Sequence, residues 1–250
     1  MNGQDGGMWR DDILGWRGRI GLIMPATNLL LETALPRMAP DGVTFHTARL
    51  TNSPSVTPEA LKEMSGRIMG AALDLASAKV DLIAYCCTAS SFVEGRAHDD
   101  HVIADITDKA GVRAVTTMGA IVAALRALNI KRPVIVSPYA HAIEVLEAKY
   151  LEAEEFQIAA KAGMGITDML GLHDPTPGAV YKLARETFVP SADGLLISCN
   201  ALRAHVVADA LEKDLRVPVV TSLTATLWGA LRAIGVNDAI PGYGRLLTEH

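Results

Sequence analysis

The chain repeats itself at long range. A hydrophobic run closed by a proline, Arg19-Ile20-Gly21-Leu22-Ile23-Met24-Pro25, returns as Pro133-Val134-Ile135-Val136-Ser137-Pro138. Asp81-Leu82-Ile83, leading to Cys87, returns as Asp193-Gly194-Leu195-Leu196-Ile197, leading to Cys199. The two prolines stand 113 positions apart and the two cysteines 112. Val115-Thr116-Thr117 and Val220-Thr221-Ser222, displaced by 105, each lead into an Ala-Leu-Arg-Ala helix pattern. A repeat of this length, with several βα units in each copy, predicts an α/β fold: two similar Rossmann-like domains with parallel sheets, related by pseudo-twofold symmetry about a cleft. The expected organisation is a flexible tail over residues 1–18, a first domain over 19–120 and a second over 121–220, with 221–250 packing back on the first.

Half of the 250 residues are hydrophobic, a fifth are charged and the formal net charge is -5, the profile of a globular protein with no basic surplus for nucleic acid. Apolar stretches are broken by Pro25, Glu32 or Asp81 well short of a membrane span, and the polar opening from Met1 to Gly7 is unlike a signal peptide. A cytoplasmic protein is expected, partnered by neither nucleic acid nor membrane, with homo-oligomerisation left open. Three cysteines make no disulfide framework and are expected to remain thiols.

Locally, Val43 to Leu50 and Val80 to Tyr85 read as strands. Thr57-Pro58-Glu59 reads as the start of a helix that carries Leu61, Met64, Ile68 and Ala72 on one face. Cys87 and Cys199 would emerge at the carboxyl ends of buried strands, where open α/β sheets bind ligands. The strand-to-helix turns that follow offer free N–H groups, which are expected to draw a thiol pKa toward neutrality. Cys86, pointing the opposite way from Cys87, is expected in the core. Asn28 reads either as the cap of a helix beginning at Leu29 or as a ligand contact, since both use the same end of a helix. Tyr139 reads as a turn residue or as a phenol donor. His98 and His101 suit a solvated helix face better than a metal site, and neither Gly163-Met164-Gly165 nor Pro241-Gly242-Tyr243-Gly244 has the spacing of a nucleotide motif. No metal and no cofactor are expected.

From Arg19 to Leu247 these segments resemble the aspartate/glutamate racemase superfamily, in the branch that contains maleate cis-trans isomerase and arylmalonate decarboxylase. The matching stretches are Ile20 to Asn28, Val56-Thr57-Pro58-Glu59, the Cys87 loop, Ser137-Pro138-Tyr139, the Cys199 loop and Pro241 to Leu246. The resemblance implies Cys87 as the thiolate that adds to a substrate double bond and Cys199 as the acid or base on the opposite face. It also implies a small carboxylate held among Pro25, Asn28, Thr88, Ala89, Tyr139, Asn200 and Ala201. Arylmalonate decarboxylase has glycine where this chain has Cys87, whereas Gly163 to Asp168 reads more like the decarboxylase than the isomerase. The expected function is a cofactor-independent isomerase or racemase of a small mono- or dicarboxylic acid. The alternatives are a decarboxylase with Cys199 as proton donor and a non-catalytic organic-acid binding protein.

Overall fold

Eight short strands form the frame: the central ones are apolar runs buried on both faces, as parallel strands require, while three of the flanking ones are only partly buried. The structure is a computed structural model and describes residues 14–250; residues 1–13 lie outside the described residues. The first four strands are β1 (Gly18–Pro25), β2 (Val43–Leu50), β3 (Leu82–Tyr85) and β4 (Arg113–Thr116). The second four are β5 (Pro133–Tyr139), β6 (Ala160–Ile166), β7 (Gly194–Ile197) and β8 (Val219–Thr221). They make two parallel sheets of identical order, β2-β1-β3-β4 and β6-β5-β7-β8.

In each sheet the chain steps outward from the first strand and then crosses back over it. A crevice therefore opens beyond the carboxyl ends of β1 and β3, and another beyond those of β5 and β7. Both crevices face a common cleft. The helix after each fourth strand starts in the same way: Thr116 accepts from Gly119 N at 3.0 Å and Thr221 from Thr224 N at 3.1 Å.

Alternation along β1 divides its side chains between two cores. Ile20, Leu22 and Met24 pack with Leu223, Leu227 and Leu231 of the Ser222–Ala233 helix, so the end of the chain covers the first sheet. Ile23 faces the larger cluster, which runs through Met118, Ile121 and Leu125 into Val134, Val136 and Leu196 of the second sheet. One continuous core thus ties the lobes together. Among the described residues no helix is long and apolar enough to cross a membrane.

Several local expectations change. Of the tail expected over 1–18, Arg17 is tied down by N–H donation to Gly42 O at 2.9 Å and an ion pair with Asp238, and Gly18 opens β1. The helix expected to run from Pro58 past Ala72 is two, Pro58–Ser65 and Ile68–Ser77, interrupted at Gly66 and Arg67. The helix after Asn28 starts at Leu31 rather than Leu29. Tyr139 is the last residue of β5 and not part of a turn.

Candidate active site

The two thiols leave equivalent strand ends. Cys87 follows β3 and stands at the head of the Thr88–Val93 helix; Cys199 follows β7 with a φ of 102°, a left-handed conformation that side chains other than glycine rarely adopt. That bend is held within its own lobe, because Cys199 N donates at 2.8 Å to the Oγ of Ser222, the first residue after the neighbouring strand β8. Thr88 Oγ1 donates to the same Ser222 hydroxyl at 3.3 Å, and Asn200 Nδ2 donates to Thr117 Oγ1 at 2.9 Å. These two contacts are equivalent under the repeat, since Thr88 matches Asn200 and Thr117 matches Ser222. The side chains of Thr88 and Asn200 therefore fasten the lobes to each other.

Cys87 and Cys199 open into one narrow cavity of about 40 Å³, larger than the minimum that holds one water. Pro25, Asn28, Thr88, Ala89, Tyr139, Asn200 and Ala201 line it with them, so the residues that the resemblance implied for the site meet at this point. Asn28 caps the helix, lines the cavity and bridges the lobes. Its Oδ1 accepts from the N–H groups of Leu30 and Leu31 at 2.9 and 3.0 Å, while its Nδ2 donates to Asn200 O at 3.2 Å. Cys86 also borders the cavity but is 1% exposed, packed with Leu22 and Leu223, and donates its S–H to Ala84 O at 3.3 Å.

Burial decides the charge state of the thiols. It pushes Cys87 up to about 12 and Cys199 up to about 11. The N–H groups of Ser90 and Ala89 and the Tyr85 hydroxyl favour the Cys87 anion, while the Tyr139 hydroxyl and Ala201 N–H favour the Cys199 anion, without offsetting the loss of water. The expectation of near-neutral thiols is thus corrected: the amides are in place, but the closed cavity outweighs them. Each thiol has a phenol beside it, Tyr139 for Cys199 and Tyr85 for Cys87.

Sequence reasoning gave no site role to Tyr85 or to the residues that roof the cavity, although Val56 stood in a matching stretch and Leu61 on a helix face. The roof consists of Val56 and Leu61 from the first lobe with Met169, Leu172 and His173 from the second. The two halves of the roof pair by backbone, Val56 N donating to Thr167 O at 2.8 Å and Met169 N to Pro54 O at 2.7 Å. His173 Nε2 accepts from Leu29 N at 3.4 Å, and burial lowers its pKa. No local signal marks these residues, because the contacts join segments more than a hundred positions apart. His98 and His101 are occupied elsewhere, His98 beside Glu94 at 3.1 Å and His101 against Ala97 O at 2.7 Å. Among the described residues no group of three or more His, Cys, Asp or Glu side chains is placed to hold a metal ion.

Paired parallel α/β lobes that each bring a thiol to one cavity define an enzyme of the aspartate/glutamate racemase superfamily. Residues 20–247 match the arylmalonate decarboxylase family, and the chain belongs to that family. The maleate isomerase of Pseudomonas putida is 30% identical over 247 residues, covering 92% of this chain and 97% of that one. The maleate isomerase of Nocardia farcinica is 29% identical over 241 residues, covering 92% and 96%. A mutant of Nocardia farcinica maleate cis-trans isomerase, solved with a covalently bound succinylcysteine intermediate, superposes with a TM-score of 0.89 at 27% identity, covering 93% of this chain and 99% of that one.

Proposed function

We propose that this chain is a cis-trans isomerase of a small cis-enedioic acid of the maleate kind, with Cys87 as nucleophile and Cys199 as acid and base. The observation that carries the reading is the convergence of the two thiols, from equivalent strand ends, on one small cavity. Once its S–H proton has left to solvent, the Cys87 thiolate adds to one alkene carbon, and the electron pair released at the other passes into its carboxylate as an enediolate. Cys199 delivers a proton to that carbon, leaving a saturated thioether of the same kind as the succinylcysteine of the Nocardia enzyme. The bond between the two carbons is now single and turns. Cys199 then takes a proton back and the carbon–sulfur bond breaks, releasing the trans acid and restoring Cys87. The Tyr139 hydroxyl and the main-chain N–H groups after each cysteine are the donors for the enediolate charge.

One feature favours a second reading. The roof residues Val56, Leu61, Met169 and Leu172 are apolar, and no lysine or arginine lines the cavity. That suits a substrate with an apolar substituent, including a substituted malonate decarboxylated with Cys199 as proton donor. Proton NMR in D2O separates the two. Conversion of maleate or an alkyl-substituted maleate to its trans isomer is the expected result; carbon dioxide release from substituted malonates without isomerisation of any enedioate would replace the isomerase with the decarboxylase.

A further inference from the structure

Glu147 lies in the apolar stripe of the His141–Ala153 helix, between Ile143 and Tyr150, and is completely shielded from water. Neither carboxyl oxygen makes a hydrogen bond of good geometry, and neither does the buried Ser198 hydroxyl that faces it. Ser198 immediately precedes Cys199 at the end of β7. A buried, unpartnered carboxyl is too costly to keep as an anion, so it holds its proton. Glu147 takes no part in the proposed chemistry, yet its charge bears on Cys199 and Tyr139.

We infer that Glu147 is a positioning residue for Cys199, a neutral acid behind the thiol that lets it pass through its anionic form and opposes that form once the acid ionises. Every chemistry open to this site sends Cys199 through a thiolate, whether it gives a proton to an enediolate or takes one back. A second negative charge behind it, in a medium of low dielectric, makes that state harder to reach. The other ionisable groups facing Glu147 are Glu144 on its own helix, Lys161 on β6, Tyr139 on β5 and Cys199 itself. Glu144 raises the carboxyl further and Lys161 lowers it, while burial, the largest influence, sets it at about 8. The Thr88–Val93 helix packed on the same side carries no charged residue, and Lys182, Arg185 and Glu186 of the Pro177–Thr187 helix are exposed. The inference rests on the role of Cys199 and not on the identity of the substrate.

The test reads the thiol directly. Iodoacetamide labelling of Cys199, followed by peptide mass spectrometry between pH 6 and 10, is compared in the wild type and Glu147→Gln. At pH 6.5 both should label at the same rate. At pH 9 Glu147→Gln should label about three- to tenfold faster at Cys199, a shift of up to about one pKa unit, with Cys87 changed less. Glu147→Leu, which fills the same space without charge, should behave as the Gln variant does. Superimposable profiles, or equal acceleration at both cysteines, would overturn the inference. Infrared spectra of the unmutated chain give an independent reading: a protonated carboxylic acid band present at pH 7 and lost above pH 9 is expected, and its absence at pH 7 overturns the inference even if neither variant folds. Loss of isomerase activity on every enedioate would sink the proposed function while leaving the labelling result intact.

Discussion

Asn200 donates its side-chain amide to Thr117 Oγ1 at 2.9 Å, so the residue after one thiol is anchored by the helix that begins in the other lobe. The Thr117 hydroxyl in turn donates to Tyr85 O at 3.3 Å, beside the other thiol loop. Thr117→Val keeps the shape and removes the hydroxyl, leaving a buried amide without this partner at a cost of about 1–3 kcal/mol. The melting temperature should fall by several degrees and catalytic efficiency by about tenfold, as both cysteine loops lose a shared support. Unchanged melting and kinetics would show that Asn200 is held well enough by Cys86 O, its other acceptor at 3.4 Å.

The thiols themselves are separable by mutation. Cys87→Ala and Cys199→Ala should each lower turnover at least about a thousandfold, whereas Cys86→Ala should leave it within a few-fold. Because Cys199 sits at a φ of 102°, Cys199→Gly should be more stable than Cys199→Ala by about 1 kcal/mol, measured by denaturant unfolding. Equal stability of the two variants would mean that the loop relaxes when the thiol is lost.

Alkylation should lag in pH. With Cys87 raised to about 12 and Cys199 to about 11, inactivation by iodoacetamide should have its midpoint well above the free-thiol value of about 8.5 and should be slow at pH 7. A substrate or inhibitor filling the cavity should protect both. A midpoint at or below 8.5 would mean that in solution the cavity is wetter than its residues' burial implies.

Raised acids also set the pH dependence of stability. Glu147 stays protonated in the folded state to about pH 8, whereas an exposed glutamate in the unfolded chain ionises near 4.3. Between these values the folded state holds the extra proton, so stability is fullest below pH 4.3 for this group and declines as pH rises through 8. The melting temperature of the wild type should therefore drop more between pH 6 and 9 than that of Glu147→Gln. A parallel decline in both would assign the loss to other groups.

Asn28 joins a capping role to a cross-lobe role, and two variants divide them. Asn28→Ala loses the cap on Leu30 and Leu31 as well as the donation to Asn200, so stability should fall by about 1 kcal/mol or more, together with activity. Asn28→Asp keeps the acceptor oxygen but places a carboxylate in the cavity. It should melt near the wild type while losing about a hundredfold or more in catalytic efficiency toward a dianionic substrate. If Asn28→Asp retains full activity, Asn28 is a cap alone.

The sequence by itself determined the repeat and, with it, the two parallel sheets and the strand-end placement of Cys87 and Cys199, because a buried parallel strand writes its burial as an unbroken apolar run. It also determined that Cys86 would turn away from its neighbour, since side chains alternate along extended backbone. Only the tertiary structure decided what the thiols are. Their pKa values follow from how completely the lobes exclude water, which no local pattern encodes, and the free N–H groups that the turns supply are outweighed by that exclusion. The same holds for the roof over the cavity, where Val56 meets Thr167, and for Glu147. In the chain Glu147 is one more acid on a helix, and it becomes a neutral, unpartnered group only when the second sheet closes over it.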